Sequence, residues 1–346
     1  MSDSDSGSMN PDIQLKSSPK IMESSISLKE SYLHRRSQQF KLIDFIYRNL
    51  TRISALFIPF VLVAIFFALY QGALPSIHKF GWHFLTSSQW DPVADEFGAL
   101  VPVYGTLITS FIALVISVPV SFGIAIFLTE IAPEWLRRPF GVAIELLAAI
   151  PSIIYGMWGL FVFAPFFART VQPWIQNHTE GVAFLNTFFQ GPSIGIGVLT
   201  AGIILAVMII PFISSTMRDS FQVVPTLLKE SAYGLGATKW EVIWNVVFPY
   251  SRQGVAGGII LGLARALGET MAVTFVIGNA HSLSPSLFMP GSTISSILAN
   301  EFTEAVGDLH PAALIELGLI LFVLTFVFLM GARLLLMSNQ KKAGSL

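Results

Sequence analysis

Six stretches of the chain stay apolar, near residues 53–70, 104–130, 141–167, 194–217, 253–279 and 312–336. Each approaches the roughly 20 residues that a helix needs to cross a hydrocarbon core about 30 Å thick. No window between them is as polar as a soluble domain, so residues 49–346 are expected to form one bundle. Lipid gives backbone groups no partner outside their own helix, and the predicted fold is therefore an all-α membrane protein with six transmembrane helices. Residues 1–48 are rich in serine with scattered charges, which predicts a disordered tail and lead-in. The first apolar stretch lies too deep in the chain for a secretory signal peptide. Pro119, Pro151 and Pro211 fall inside predicted spans, where each is expected to kink or locally unwind its helix.

Composition agrees with the pattern. Of 346 residues 53% are hydrophobic and 12% charged, and the mean hydropathy is +0.68. The absence of cysteine excludes disulfides, thiolate metal sites and cysteine nucleophiles. A net charge of −1 offers nothing to nucleic acid. Placement of the positive charges is more informative, because cytoplasmic loops collect Lys and Arg. With the N-terminus inside, 17 of the 20 fall on the cytoplasmic face, Lys79 and Arg169 fall outside, and Arg265 falls within a span. Both termini are then expected to be cytoplasmic, and Trp82, Trp90 and Trp174 occupy the outer segments, where indoles suit the interface.

Arg265 is the residue that needs explaining. An arginine at the centre of a span costs about 2.5–3.5 kcal/mol on insertion scales. Its helix carries Gly254, Gly258, Gly262 and Ala266 at intervals of four, a spacing of small residues that admits a close neighbour. Arg265 and Glu269 each lie one heptad beyond a glycine of that stripe, so an unbroken helix turns both toward protein or a water-filled path. One reading is a neutral i,i+4 ion pair that locks two helices together. The other is an anion path, with Arg265 offering a permanently charged fork and Glu269 holding the guanidinium. Glu145, in the predicted third span, is a further candidate for the pathway, and Glu316 a weaker one.

The longest inner loop, residues 218–252, contains KESAYGLGATKWEVIWNVVFPYS. Gly234 and Gly236 predict a division into two short helices. Thr238 and Glu241 form a capping-box pattern at the start of the second. The run Glu230, Ser231, Ala232, then Gly236, then Val246, Phe248 and Pro249 closely resembles the EAA loop of binding-protein-dependent ABC importer permeases. It departs mildly, with Ser231 for alanine, Val246 for isoleucine and Phe248 for leucine. The segments GALVPVYGTLITSFIALVISVPVSFGIAIFLTE, IELLAAIPSIIYGMWGLFVFAP and GLARALGETMAVTFVIGN extend the resemblance, over roughly residues 70–335, to the PstC family of phosphate-specific permease subunits.

That resemblance implies a type I, MetI-like permease in a bacterial inner membrane. It implies a sister permease similar to PstA, two ATPase subunits similar to PstB that bind ATP and Mg, and a periplasmic phosphate-binding protein. The Glu230–Pro249 loop is then a coupling helix on the ATPase, and Arg265 with Glu269 belong to the phosphate path. Neither cofactor nor metal is expected on the chain itself.

Other functions are less well supported by the residues. There is no G-x-x-x-x-G-K-[ST], so no P-loop binds ATP here and the chain is not expected to be an enzyme. Gly191 to Gly195 read GPSIG, a literal match to the hydrolase nucleophile pattern, but the pattern needs a strand-to-helix elbow to act. His83, His178, His281 and His310 lie in outer segments at wide spacing and predict ordinary loop residues. A proton-coupled secondary anion transporter or channel can use the same buried charges, yet has no need of the Glu230–Pro249 loop. A membrane scaffold has no use for Arg265.

Overall fold

In the computed structural model the backbone is described for residues 19–179 and 181–343, and residues 1–18 of the expected tail lie outside the described residues. Ten helical segments matter for function. They are α1 (Pro19–Phe80), α2 (Leu100–Ile131), α3 (Glu134–Ala148), α4 (Ser152–Thr179), α5 (Val198–Gln222), α6 (Thr226–Gly234), α7 (Lys239–Leu267), α8 (Met271–Ile277), α9 (Ile294–Glu301) and α10 (Leu309–Ala343). Short π-helical turns interrupt α2 at 127–131, α4 at 159–163 and 167–171, and α7 at 243–247. Among the described residues the β-type pairing is two isolated bridges, Asp91 with Glu96 and Gly278 with Gly291.

Five of these helices are long and apolar enough to cross a membrane, and α7 with α8 makes a sixth if the bent pair is one span. The chain divides after Ile65 into two units. In the first, residues such as Phe57, Ile58 and Phe60 are exposed, as suits a helix solvated by lipid. Helix α1 starts at Pro19, inside the segment expected to be a tail.

The second unit is built around α5. Sixty-seven per cent of its apolar window is buried, against 33% for α2 and 22% for α10, which makes it the hub. Leu205, Ile209 and Ile213 of α5 join Ala113 of α2 and Val255 of α7 in one core. A second core gathers Phe84, Phe97, Ile294, Leu314 and Leu317. Small residues set the helix spacing. A methyl group added at Gly202 of α5 would lie 2.7 Å from Ile112 of α2, and one at Gly159 of α4 would lie 3.0 Å from Ile204. Pro119 and Pro211 sit within helices that continue past them.

Two predicted spans change shape. The third does not run through 141–167, because α3 ends at Ala148 and α4 begins after Pro151, whose ring cannot supply the N–H a continuous helix needs. The fifth begins fifteen residues before Gly254 and bends by 59° between α7 and α8.

Candidate functional site

The break in the fifth span places Arg265. Helix α7 ends at Leu267 and Gly268 is its cap, and α8 starts at Met271. The small-residue stripe faces α5 as its spacing predicts. A methyl at Gly254 would meet Ser220, one at Gly258 would meet Thr216, and one at Gly262 would meet Ile213. Three residues beyond Gly262, Arg265 follows this stripe toward α5, where its guanidinium carbon lies 5.8 Å from the Phe212 ring centre. Its field reaches Tyr155 of α4, whose hydroxyl donates to the Leu147 carbonyl at 2.9 Å. The Arg265 Nε is buried and has no hydrogen-bond partner.

Glu269 does not hold that guanidinium. Because the helix breaks at Gly268, the heptad relation that would align Glu269 with Gly262 is lost, and no ion pair joins Glu269 to Arg265. Its Oε1 accepts instead from the Ala272 amide of α8 at 3.3 Å. The i,i+4 neutral pair is therefore absent, and the arginine is left half-buried with an unsatisfied donor beside a gap in the backbone ladder.

The loop after α5 forms a second site. Helix α6 buries no residue fully, and Gly236 then takes a φ of +88°, a left-handed conformation that glycine alone adopts without strain. Thr238 and Glu241 make the predicted capping box, which contributes about 1 kcal/mol. The second predicted short helix is no separate element, since from Lys239 the chain runs on through the π-turn into α7. Glu230, Ser231, Gly236 and Pro249 are exposed, while Ala232, Val246 and Phe248 are half-buried against the core. Around them Leu227, Tyr233, Leu235 and Trp240 are also exposed, Leu235 to 90%. These apolar side chains share the exposed surface with Glu230, Ser231 and Lys239, and the chain runs on from here into the helix that carries Arg265.

The model of the family described as "Binding-protein-dependent transport system inner membrane component" matches residues 121–336. The chain belongs to that family. The phosphate transport system permease protein PstC of Pasteurella multocida is 57% identical over 88% of this chain and 94% of its own length. PstC of Mesorhizobium japonicum is 56% identical over 89% of this chain and 94% of its own. Among solved structures, a chain of the MetNI methionine ABC transporter in an inward-facing conformation matches 72% of this chain and 99% of its own length, with a TM-score of 0.51 and 16% identity. At that identity it supports the MetI-like permease fold and nothing finer.

Several residues of this inner-membrane permease sit where sequence reasoning did not put them. Glu145 is on α3, before the break at Pro151 and outside the span, and its Oε1 accepts from Arg218 of α5 at 2.7 Å. The expectation of an intramembrane carboxylate there is corrected, because the proline moves the span eleven residues onward. Glu316 is buried beside Ser76 of α1. Ser193 donates to Gln176 Oε1 at 3.0 Å in a loop with no strand nearby, so the elbow is absent.

A cluster missed in the sequence joins the outer segments. His281 and His310 each lie 3.2 Å from opposite oxygens of Glu301, and the Trp90 indole donates to the same carboxylate at 2.8 Å. Burial alone would raise the Glu301 pKa, but hydrogen bonds from His281 and Trp90 with the charge of His281 outweigh it and hold the carboxyl below its ordinary range. Its contacts to Glu301 span up to 211 residues, so no local spacing announces it.

Proposed function

We propose that the chain forms the transmembrane path for inorganic phosphate in an ABC importer, with Arg265 as the charged partner of the anion at the break between α7 and α8. What carries the reading is the Arg265 guanidinium, which is drawn into the bundle, left unpaired by Glu269, and has a buried Nε without a partner. A buried donor left unsatisfied costs about 1–3 kcal/mol, and more when charged. A tetrahedral oxyanion satisfies it while in transit and matches the planar fork of a guanidinium. The half-buried setting keeps the attraction weak enough for release. Glu269 limits the positive field at the break and caps α8, and Glu145 belongs to the framework at the α3–α5 contact instead of the path.

The 52–57% identity to proteins named as phosphate transport permeases supports phosphate as the anion. ATP and Mg belong to two separate ATPase subunits similar to PstB, which dock on the exposed surface from Glu230 to Pro249. A sister permease similar to PstA completes the path, and a periplasmic phosphate-binding protein delivers the anion. The N- and C-termini lie in the cytoplasm, where 17 of the 20 Lys and Arg gather.

Arg265→Gln tests the assignment. It removes the fork and keeps a polar side chain, so uptake of phosphate should be abolished in a complex that still assembles. Uptake at the wild-type rate would take Arg265 out of the mechanism.

A further inference from the structure

One ion pair ties the helix of the docking surface to α2. Lys229 of α6 places its Nζ 2.5 Å from Oε1 of Glu130, in the π-turn that closes α2. The side chains are only 18% and 8% exposed. Apart from Lys229, only Ala232 of α6 is even half-buried, so α6 is held by this charge pair, by one alanine and by its contact with the start of α7, and the charge pair is its tie to α2. Its other residues, Leu227 and Glu230 among them, face outward.

We infer that the Lys229–Glu130 pair is the joint through which movement of the ATPase-docking surface reaches the membrane spans, Lys229 and Glu130 acting as positioning residues. The inference rests on the importer reading above. Pulling two mostly buried opposite charges apart exposes each without its partner, so the pair resists separation far more than apolar side chains sliding past one another. A displacement of α6 must therefore carry the end of α2 with it. The other end of α2 is equally fixed. The Thr106 hydroxyl accepts from the Ile294 amide of α9 at 3.0 Å, and a methyl at Gly105 would lie 2.0 Å from the Ser292 carbonyl. Helix α2 thus joins α6 near one end to the outer elements near the other, over the 24 residues from Thr106 to Glu130 or about 36 Å.

The test uses the full complex of both permeases, the ATPase and the binding protein in proteoliposomes. Lys229→Gln and Glu130→Gln should each lower phosphate moved per ATP by about tenfold, inside the range that residues on a coupling route produce. The ATPase should still co-purify. Lys229→Arg should retain coupling, and the exchange of Lys229→Glu with Glu130→Lys should recover most of it. Wild-type stoichiometry in the neutral variants, detachment of the ATPase, or an exchanged pair no better than the single variants would each overturn the joint.

A second readout needs no transported anion. The chain has no cysteine, so spin labels attached at Phe111→Cys of α2 and Phe161→Cys of α4, both exposed, before the chain is assembled with its partners report only those sites. Trapping the ATPase with nucleotide should change their distance in an otherwise wild-type complex and not in Lys229→Gln. The same change in both would overturn the joint. A wild-type complex that moves no phosphate counts against the substrate reading, and the labels still decide the joint.

Discussion

Replacing Gly262 with alanine asks how tightly the helix carrying Arg265 is held. The added methyl would lie 2.5 Å from Cδ1 and 2.6 Å from Cγ1 of Ile213. Carbon atoms pack at about 3.5–4.0 Å, so α7 and α5 must part by about 1 Å or Ile213 must leave its rotamer. Ile213 is fully buried and has nowhere to go. Overpacking of this kind costs about 1–3 kcal/mol. Alanine also favours the helix over glycine by about 1 kcal/mol, which would blur a comparison with the wild type. Gly257→Ala supplies the same gain with nothing within 4 Å of its methyl. The difference between the two variants isolates the steric term, and Gly262→Ala should be the less stable by about 1–3 kcal/mol. Chemical denaturation in detergent micelles followed by tryptophan fluorescence measures it. Gly262 precedes Arg265 by three residues, about 4.5 Å along the axis. Phosphate uptake should therefore fall in Gly262→Ala and persist in Gly257→Ala. Equal stability of the two variants would refute the close α5–α7 approach.

Two further perturbations address the docking loop and the outer cluster. At Gly236 the φ of +88° makes any side chain strained, and Gly236→Asp adds a charge to the exposed surface, so the ATPase should dissociate or lose coupling. Normal co-purification with normal uptake would count against the loop as the dock. For Glu301 the folded carboxyl lies below its ordinary pKa, so its ionisation stabilises the outer cluster above about pH 4.3 and that contribution disappears as pH falls through the lowered folded value. Hydrogen exchange over residues 278–291 should be slower in the wild type than in Glu301→Gln near pH 6, and the two should converge in acid. A difference that persists unchanged in strong acid would contradict it.

The sequence made much of this structure legible where the signal was local. The apolar windows locate α2, α5 and α10 to within a few residues, the glycine stripe announces a close helix neighbour, and Thr238 with Glu241 marks the start of α7. The loop from Glu230 to Pro249 is readable because its residues are fixed by contacts within a short segment and by an outside partner. The misplacements share one cause. The face argument for Glu269 assumed an unbroken helix, and Gly268 is one of five glycines between 254 and 268, so nothing marks it as the one where the helix stops. Pro151, expected to kink or locally unwind a helix, separates two helices outright, which puts Glu145 outside the span. The Arg218–Glu145, Lys229–Glu130 and Glu301 contacts span 73, 99 and up to 211 residues, and only the folded chain brings them together.

The most direct test is uptake of radiolabelled phosphate and sulfate into proteoliposomes holding this chain with its sister permease and ATPase, with and without internal ATP and the external binding protein. The account predicts phosphate uptake that requires both ATP and the binding protein, and that Arg265→Gln eliminates. Uptake by this chain alone, driven by a proton gradient without ATP, would contradict it.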